Sequence, residues 1–159
     1  NSYGMRDEEV PRRIPPGVLN EALQALCKHF DRVVAIGGKA DSATADQFLA
    51  GIDNGLNLCG KTPLRETLAL LQRCAAFLGA DAGPVHFAVL AGVPRIVSVL
   101  GPGLQAKWVH PALIRAVAAE IPCRPCNYGR FGQTPPCPYG ARCISLLAAR
   151  QLIDAVLAP

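Results

Sequence analysis

Along the chain, apolar positions follow two rhythms. Val18, Leu19, Ala22, Leu23, Leu26 and Cys27 recur every three or four residues, which predicts a helix starting near Gly17. Residues 32–36 (RVVAI) form a short unbroken apolar run, as in a strand buried on both faces. Gly37-Gly38 ends that run, with Lys39 and Asp41 in the loop beyond. Ser42 is placed to cap a helix reaching about Ala50. After a turn through Gly51, Asp53, Asn54 and Gly55, residues 56–59 read as a second strand, closed by Gly60-Lys61-Thr62. Thr62 is placed to cap a helix from Pro63, with Leu64, Leu68 and Leu71 on one face.

The stretch from 75 to 100 reads as strand, tight turn, helix, turn, strand. An apolar run at 75–78 leads to Asp81-Ala82-Gly83-Pro84, then to a small-residue helix carrying His86. Gly92 and Pro94 stop the helix, and a second apolar run occupies 95–100 before Gly101-Pro102-Gly103. Residues 113–119 are expected to be strand, 122–143 a Cys- and Pro-rich loop, and 144–157 one closing amphipathic helix. Strands alternating with helices predict an α/β domain with a parallel sheet and helices on both faces. The 159 residues then form one domain, preceded at 1–16 by a loop or linker from an upstream domain. In such sheets ligands sit beyond the carboxyl ends of the strands, so the four glycine turns share one edge. At the Asp81–Gly83 turn a helix N-terminus offers amides and a positive dipole end to an anion.

Composition narrows the partners. Half of the residues are hydrophobic and 18% charged, which excludes disorder. Aromatics at 6% argue against a stacking platform for single strands, and a net charge of +4 is mild, so no nucleic-acid partner is expected. No apolar run is long enough for a membrane span.

Three constellations carry candidate chemistry. Residues 55–62 (GLNLCGKT) match the phosphate-loop pattern, which would make a nucleotide hydrolase. The interior LNLC is itself strand-like, though, and Asp53-Asn54 rather than a strand precedes it. Asp81 and His86 are spaced to face one ligand over a helix N-terminus, or else to serve as a cap and a surface residue. Cys123, Cys126, Cys137 and Cys143 could hold structural zinc; a redox pair and plain loop cysteines are the alternatives, and no metal is expected as the primary reading.

Asp81-Ala82-Gly83-Pro84-Val85-His86, with Ala88, Ala91-Gly92-Val93-Pro94 and Leu100-Gly101-Pro102, resembles the signature of glycosyltransferase family nine, the ADP-heptose:lipopolysaccharide heptosyltransferases. Ile36-Gly37-Gly38, the segment Leu58-Cys59-Gly60-Lys61-Thr62-Pro63-Leu64-Arg65-Glu66 and Cys123-Arg124-Pro125-Cys126 with Cys137 and Cys143 match further family segments in order. The resemblance implies a Rossmann-like domain, the C-terminal half of a GT-B enzyme, that binds a nucleotide-diphosphate sugar. Inverting transfer to a lipopolysaccharide or other glycan acceptor would need no cofactor. The base would come from an upstream acceptor domain, so the catalytic residue is unknown here and this part alone would be inactive. Asp81, Ala82, Gly83 and His86 match the turn that meets the donor's phosphates and sugar. Asp41 falls near the family's ribose-binding acid, Lys61 and Thr62 along the base, and Arg12 near a basic residue for the phosphates. Two departures stand out: Ala82 replaces a Ser or Thr, and Arg12-Arg13-Ile14-Pro15 lacks the family's Lys and Trp. A non-catalytic nucleotide-sugar-binding module is the alternative. The family implies a cytoplasmic enzyme, with peripheral placement at the inner face of the inner membrane.

Overall fold

The computed structural model describes residues 13–101, 112–124, 137 and 139–159. Helix α1 (Pro16–Leu26) runs into a 3-10 turn (Cys27–His29) and strand β1 (Val33–Ala35). A second 3-10 turn (Lys39–Asp41) leads to α2 (Ser42–Leu49) and β2 (Gly55–Asn57). Then follow α3 (Leu64–Leu71), β3 (Phe77–Ala80), α4 (Gly83–Ala91), β4 (Ile96–Val99), β5 (Arg115–Val117), α5 (Arg142–Ser145) and α6 (Ala149–Leu157). Every strand pairing is parallel: β1 with β2, and β3 with β4 with β5. Among the described residues these three pairings form two separate sheets, of two and three strands.

Strand β4 explains why this sequence chooses a parallel sheet. All of its residues are buried, as a strand covered by helices on both faces requires. Val97 and Val99 point into a cluster built with Ala22 and Leu26 of α1 and Leu152 and Val156 of α6. Ile96 and Leu100 point the other way, to Leu71 of α3 and Val85 and Ala88 of α4. Alternation along one strand thus feeds two cores. Ser98 shares the parity of Ile96, is fully buried, and its Oγ has no hydrogen-bond partner among the described residues. The helices follow suit: α1 touches α6 and α2, and α3 touches α4.

Polar side chains fasten the layers. Asn54 Nδ2 donates to Cys27 O and Phe30 O at 2.9 and 2.7 Å, tying the turn before β2 to the end of α1. Arg115, opening β5, donates to Ala155 O at 2.7 Å and Pro159 O at 3.1 Å. Arg95, just before β4, reaches Val156 O at 3.3 Å and places its guanidinium 5.8 Å from the Phe30 ring centre. Both arginines thereby sit at the negative end of α6.

Three local expectations are corrected. Ser42 is not a cap but the first residue of α2, because the 3-10 turn at Lys39–Asp41 leads straight into the helix. Its carbonyl and hydroxyl instead accept from Asn57 Nδ2 at 2.9 and 3.2 Å. Thr62 does not cap α3 either; Pro63 occupies the N-cap, and Thr62 Oγ1 pairs with Thr67 Oγ1 at 2.9 Å. The closing helix is two helices. The chain breaks at Ala148, which is extended and whose N–H donates to Gln151 Oε1 at 2.9 Å, restarting the helix as α6. The expected strand in 113–119 forms as β5, and Gly92 ends α4 in the left-handed conformation at φ 72°.

Leu152 fills the centre of the first cluster at zero exposure, so Leu152→Ala should lower unfolding free energy by about 2–5 kcal/mol in urea titrations. Ser98→Ala removes a buried hydroxyl that bonds nothing among the described residues, and should be neutral or stabilising within about 1 kcal/mol in the same assay.

Candidate functional site

Parallel strands place the turns that follow them at one edge, and these turns are built largely from backbone. After β1, the Gly38 N–H donates to Asp41 Oδ2 at 2.7 Å. A Cβ at Gly37 would lie 2.8 Å from that same oxygen, so glycine lets the carboxylate fold onto the turn. After β2, the Gly60 N–H donates to Gly37 O at 2.9 Å. Gly60 has φ +71°, and a Cβ there would sit 2.7 Å from Lys39 Cα. The first two turns are therefore stitched together, which brings Asp41 and Lys61–Thr62 into one neighbourhood.

Lys61 is exposed, and its Nζ donates to Asn57 O at 2.8 Å. That geometry disposes of the phosphate-loop reading. The loop would have to begin at Gly55, yet Gly55, Leu56 and Asn57 are strand β2, and the lysine caps the carbonyl at the strand's end. Asn57 is the hub of this turn. Its Nδ2 donates to Asp46 Oδ1 at 2.7 Å, besides Ser42, while its Oδ1 accepts from the Cys59 N–H at 2.9 Å.

The turn after β3 carries Asp81, Ala82 and Gly83. The Asp81 N–H donates to Val99 O at 3.0 Å, so the backbone there continues the ladder to β4. Ala82 is extended at φ −154° and ψ 173°, and Gly83 starts α4. With no side-chain oxygen at the N-cap, α4 begins without a side-chain cap bond. Pro84 has no N–H and the Val85 N–H donates to Ala82 O at 3.0 Å, so the Gly83 amide and the positive end of the dipole are what this turn offers at the sheet edge. Asp81 is half-buried, while Gly83 and His86 are exposed. No hydrogen bond or ion pair joins Asp81, His86 and Lys61 to one another among the described residues; they share an edge, not a bonded network.

After β4, the Leu100 N–H donates to Val117 O at 2.8 Å. Arg124 donates through Nε to Gly101 O at 2.9 Å and through a terminal nitrogen to Ala119 O at 3.1 Å. This arginine sits inside the Cys123–Cys126 segment and holds the turn in place. Sequence reasoning passed it over, as it did Asn57; an arginine beside a C-x-x-C spacing carries no sign of which carbonyl it will reach.

Arg12 and Cys126 lie outside the described residues. Cys123 and Cys137 are half-buried and Cys143 is buried. Among the described residues no group of three His, Cys, Asp or Glu is arranged to hold a metal ion. A cavity of about 350 Å³ reaches Arg13, Asp41, Cys59, Cys74, Ala82 and Pro84. Burial pushes the Cys59 thiol up, and the Asp41 carboxylate adds to that shift. Burial alone raises Cys74. Both are neutral thiols, poor nucleophiles near neutral pH. No helix among the described residues is long and apolar enough to cross a membrane.

The sequence model of glycosyltransferase family 9 (heptosyltransferase) matches residues 19–125. No curated protein matches the sequence. Among solved structures, an ADP-heptose LPS heptosyltransferase II of E. coli superposes with a TM-score of 0.70 at 18% identity, over 96% of this chain and 46% of that one. A glycosyl transferase family 9 protein of Veillonella parvula gives 0.71 at 19%, over 98% and 43%. An E. coli heptosyltransferase solved with ADP gives 0.59 at 17%, over 73% and 36%. At these identities the likeness establishes the fold, and the chain spans less than half the length of each.

Two measurements test this edge. Gly60→Ala should destabilise by about 1–3 kcal/mol, read as a lowered urea midpoint, because an alanine there is strained in φ and meets the Lys39 backbone. Cys59 should be alkylated by iodoacetamide more slowly than an exposed thiol. Because its raised pKa keeps the folded thiol protonated, stability should fall as pH rises through the usual thiol range, where the unfolded thiol ionises first.

Proposed function

The chain belongs to glycosyltransferase family 9 (heptosyltransferase), and we propose that it forms the donor-binding half of an inverting glycosyltransferase. The donor is a nucleotide-diphosphate sugar of the ADP-heptose kind. The acceptor is a lipopolysaccharide or a related glycan, held by an upstream domain of the same protein.

One observation carries this reading: the N-terminus of α4 opens at the carboxyl edge of a parallel sheet with no side-chain cap of its own. Charge builds on the diphosphate as the glycosidic bond breaks. Fixed amides and a helix dipole stabilise that charge without reorganising. In this reading the backbone at Ala82 and Gly83 receives the diphosphate, with Asp81 and His86 flanking the sugar. Asp41 spends one carboxylate oxygen on Gly38 and offers the other to a ribose hydroxyl. Lys61 leaves Asn57 O to reach the nucleotide, Thr62 lies along the base, and Arg12 supplies further positive charge to the phosphates. The base that deprotonates the acceptor hydroxyl belongs to the upstream domain. The work would be done in the cytoplasm, at the inner face of the inner membrane.

Ala82 favours a second reading, a non-catalytic nucleotide-sugar-binding module, since the N-cap offers no hydroxyl. Binding and turnover separate the two. Calorimetry on the full-length protein with ADP, UDP and GDP should show one nucleotide binding below millimolar concentration; no heat from any of them at millimolar concentration defeats both readings. With donor and acceptor supplied, Asp81→Ala and His86→Ala should each lower kcat/KM by about 10- to 1000-fold. Rates equal to the parent protein would remove both residues from the site, and binding without any turnover would favour the second reading.

A further inference from the structure

The segment after β5 reaches back to the candidate edge through one side chain. Ile121 packs against the first core cluster, and the Arg124 N–H donates to Ile121 O at 3.1 Å. That turn is anchored in the core and returns Arg124 over the ends of two neighbouring strands. The guanidinium donates through Nε to Gly101 O at 2.9 Å and through Nη1 to Ala119 O at 3.1 Å. Gly101 lies two residues beyond β4, and Ala119 two beyond β5. The planar donor fork thus bridges the exits of paired strands.

This clamp also fixes a charge. A guanidinium stays protonated at any ordinary pH, and Arg124 is half-buried, where a charge is screened less than in open solvent. Glu120, next to Ala119, is exposed and forms no ion pair with it among the described residues. On its other side β4 pairs with β3, and the Asp81 N–H donates to Val99 O at 3.0 Å. The Asp81–Gly83 turn is therefore one ladder step from the β4 exit. Neighbouring strands lie about 4.8 Å apart, so a cation held on Gly101 O stands close to the turn that opens α4.

We propose that Arg124 is a positioning residue for the donor's diphosphate: it fixes the exits of β4 and β5 and holds a positive charge beside the α4 N-terminus. The inference rests on the donor-binding reading and adds a residue which that reading does not use. The turn before α4 has few donors of its own. Ala82 brings no hydroxyl, Pro84 has no N–H, and the Val85 N–H is taken by Ala82 O. The Gly83 amide and the helix dipole remain, and a nearby fixed cation adds attraction that grows with the charge of the ligand. A tie between two carbonyls needs only a neutral donor; the charge is what a diphosphate would feel. The segment that begins at Cys123 thereby acts on the site through its arginine rather than through its thiols.

Calorimetry on the full-length protein separates the charge from the tie. The probes are whichever of ADP, UDP and GDP binds most tightly and the monophosphate of the same nucleoside. Arg124→Gln keeps an N–H donor and removes the charge. It should weaken diphosphate binding about tenfold and monophosphate binding by no more than about threefold. Arg124→Lys returns the charge without the fork, and should recover about half of that loss, to within about threefold of the parent protein. Equal losses for the two nucleotides, or a lysine variant as weak as the glutamine variant, would overturn the proposal, because Arg124 would then be a structural tie alone. Diphosphate affinity in Arg124→Gln within about twofold of the parent would overturn it as well. A parent protein that binds none of the three diphosphates at millimolar concentration defeats the donor-binding reading and this inference with it; a parent that binds while the variants match it defeats this inference alone.

Discussion

Parallel pairing is the constraint on which the rest of this molecule depends. A parallel strand cannot return by a hairpin, so every pairing requires a long crossover, and α2 and α4 carry the chain back between β1 and β2 and between β3 and β4. That requirement covers both faces of the sheet and explains why β4 can be buried throughout, with Val97 and Val99 serving one core and Ile96 and Leu100 the other. It also fixes where function can lie. The turns after β1, β2, β3 and β4 all arrive at the same edge, and the candidate site is the consequence of strand direction before it is the property of any side chain.

At that edge most of the construction is backbone. Gly37 and Gly60 admit a carboxylate and a neighbouring main chain closer than any Cβ would allow. The Asn57 amide gathers Ser42, Asp46 and Cys59 around the second turn. Among the described residues α2, α3 and α4 all start without a side-chain cap bond, and at α4 Ala82 brings no oxygen to the N-cap. An anion there would meet main-chain amides rather than a hydroxyl, so its recognition would rest on the direction of the helix more than on residue identity.

The elements most visible in the sequence were those written in apolar spacing and in glycine. The runs at 32–36 and 95–100, the i, i+3, i+4 stripe of α1, and the Gly92 stop all became structure as expected. Caps were less legible, since a distant partner decides them. Ser42 is claimed by Asn57, fifteen positions later, and Thr62 by Thr67. The break before α6 falls at leucines and an alanine, with no glycine or proline to announce it, and a Gln151 side chain restarts the helix. The phosphate-loop pattern misled because a spacing of glycines does not say whether the residues between them are loop or strand. The family, by contrast, was legible from ordered short matches, none of which sufficed alone. Where Arg124 reaches was not legible, because its carbonyls come together only once β4 and β5 are paired.

The two arginines at the opposite edge have a consequence of their own. Arg95 and Arg115 stand at the starts of adjacent strands, and both reach the last turn of the same helix, α6. Fraying of that turn would break a hydrogen bond of each guanidinium group, while Arg95 Nε keeps Ala75 O at 3.4 Å. The end of the helix and the entrances of β4 and β5 are thereby coupled across the base of the sheet.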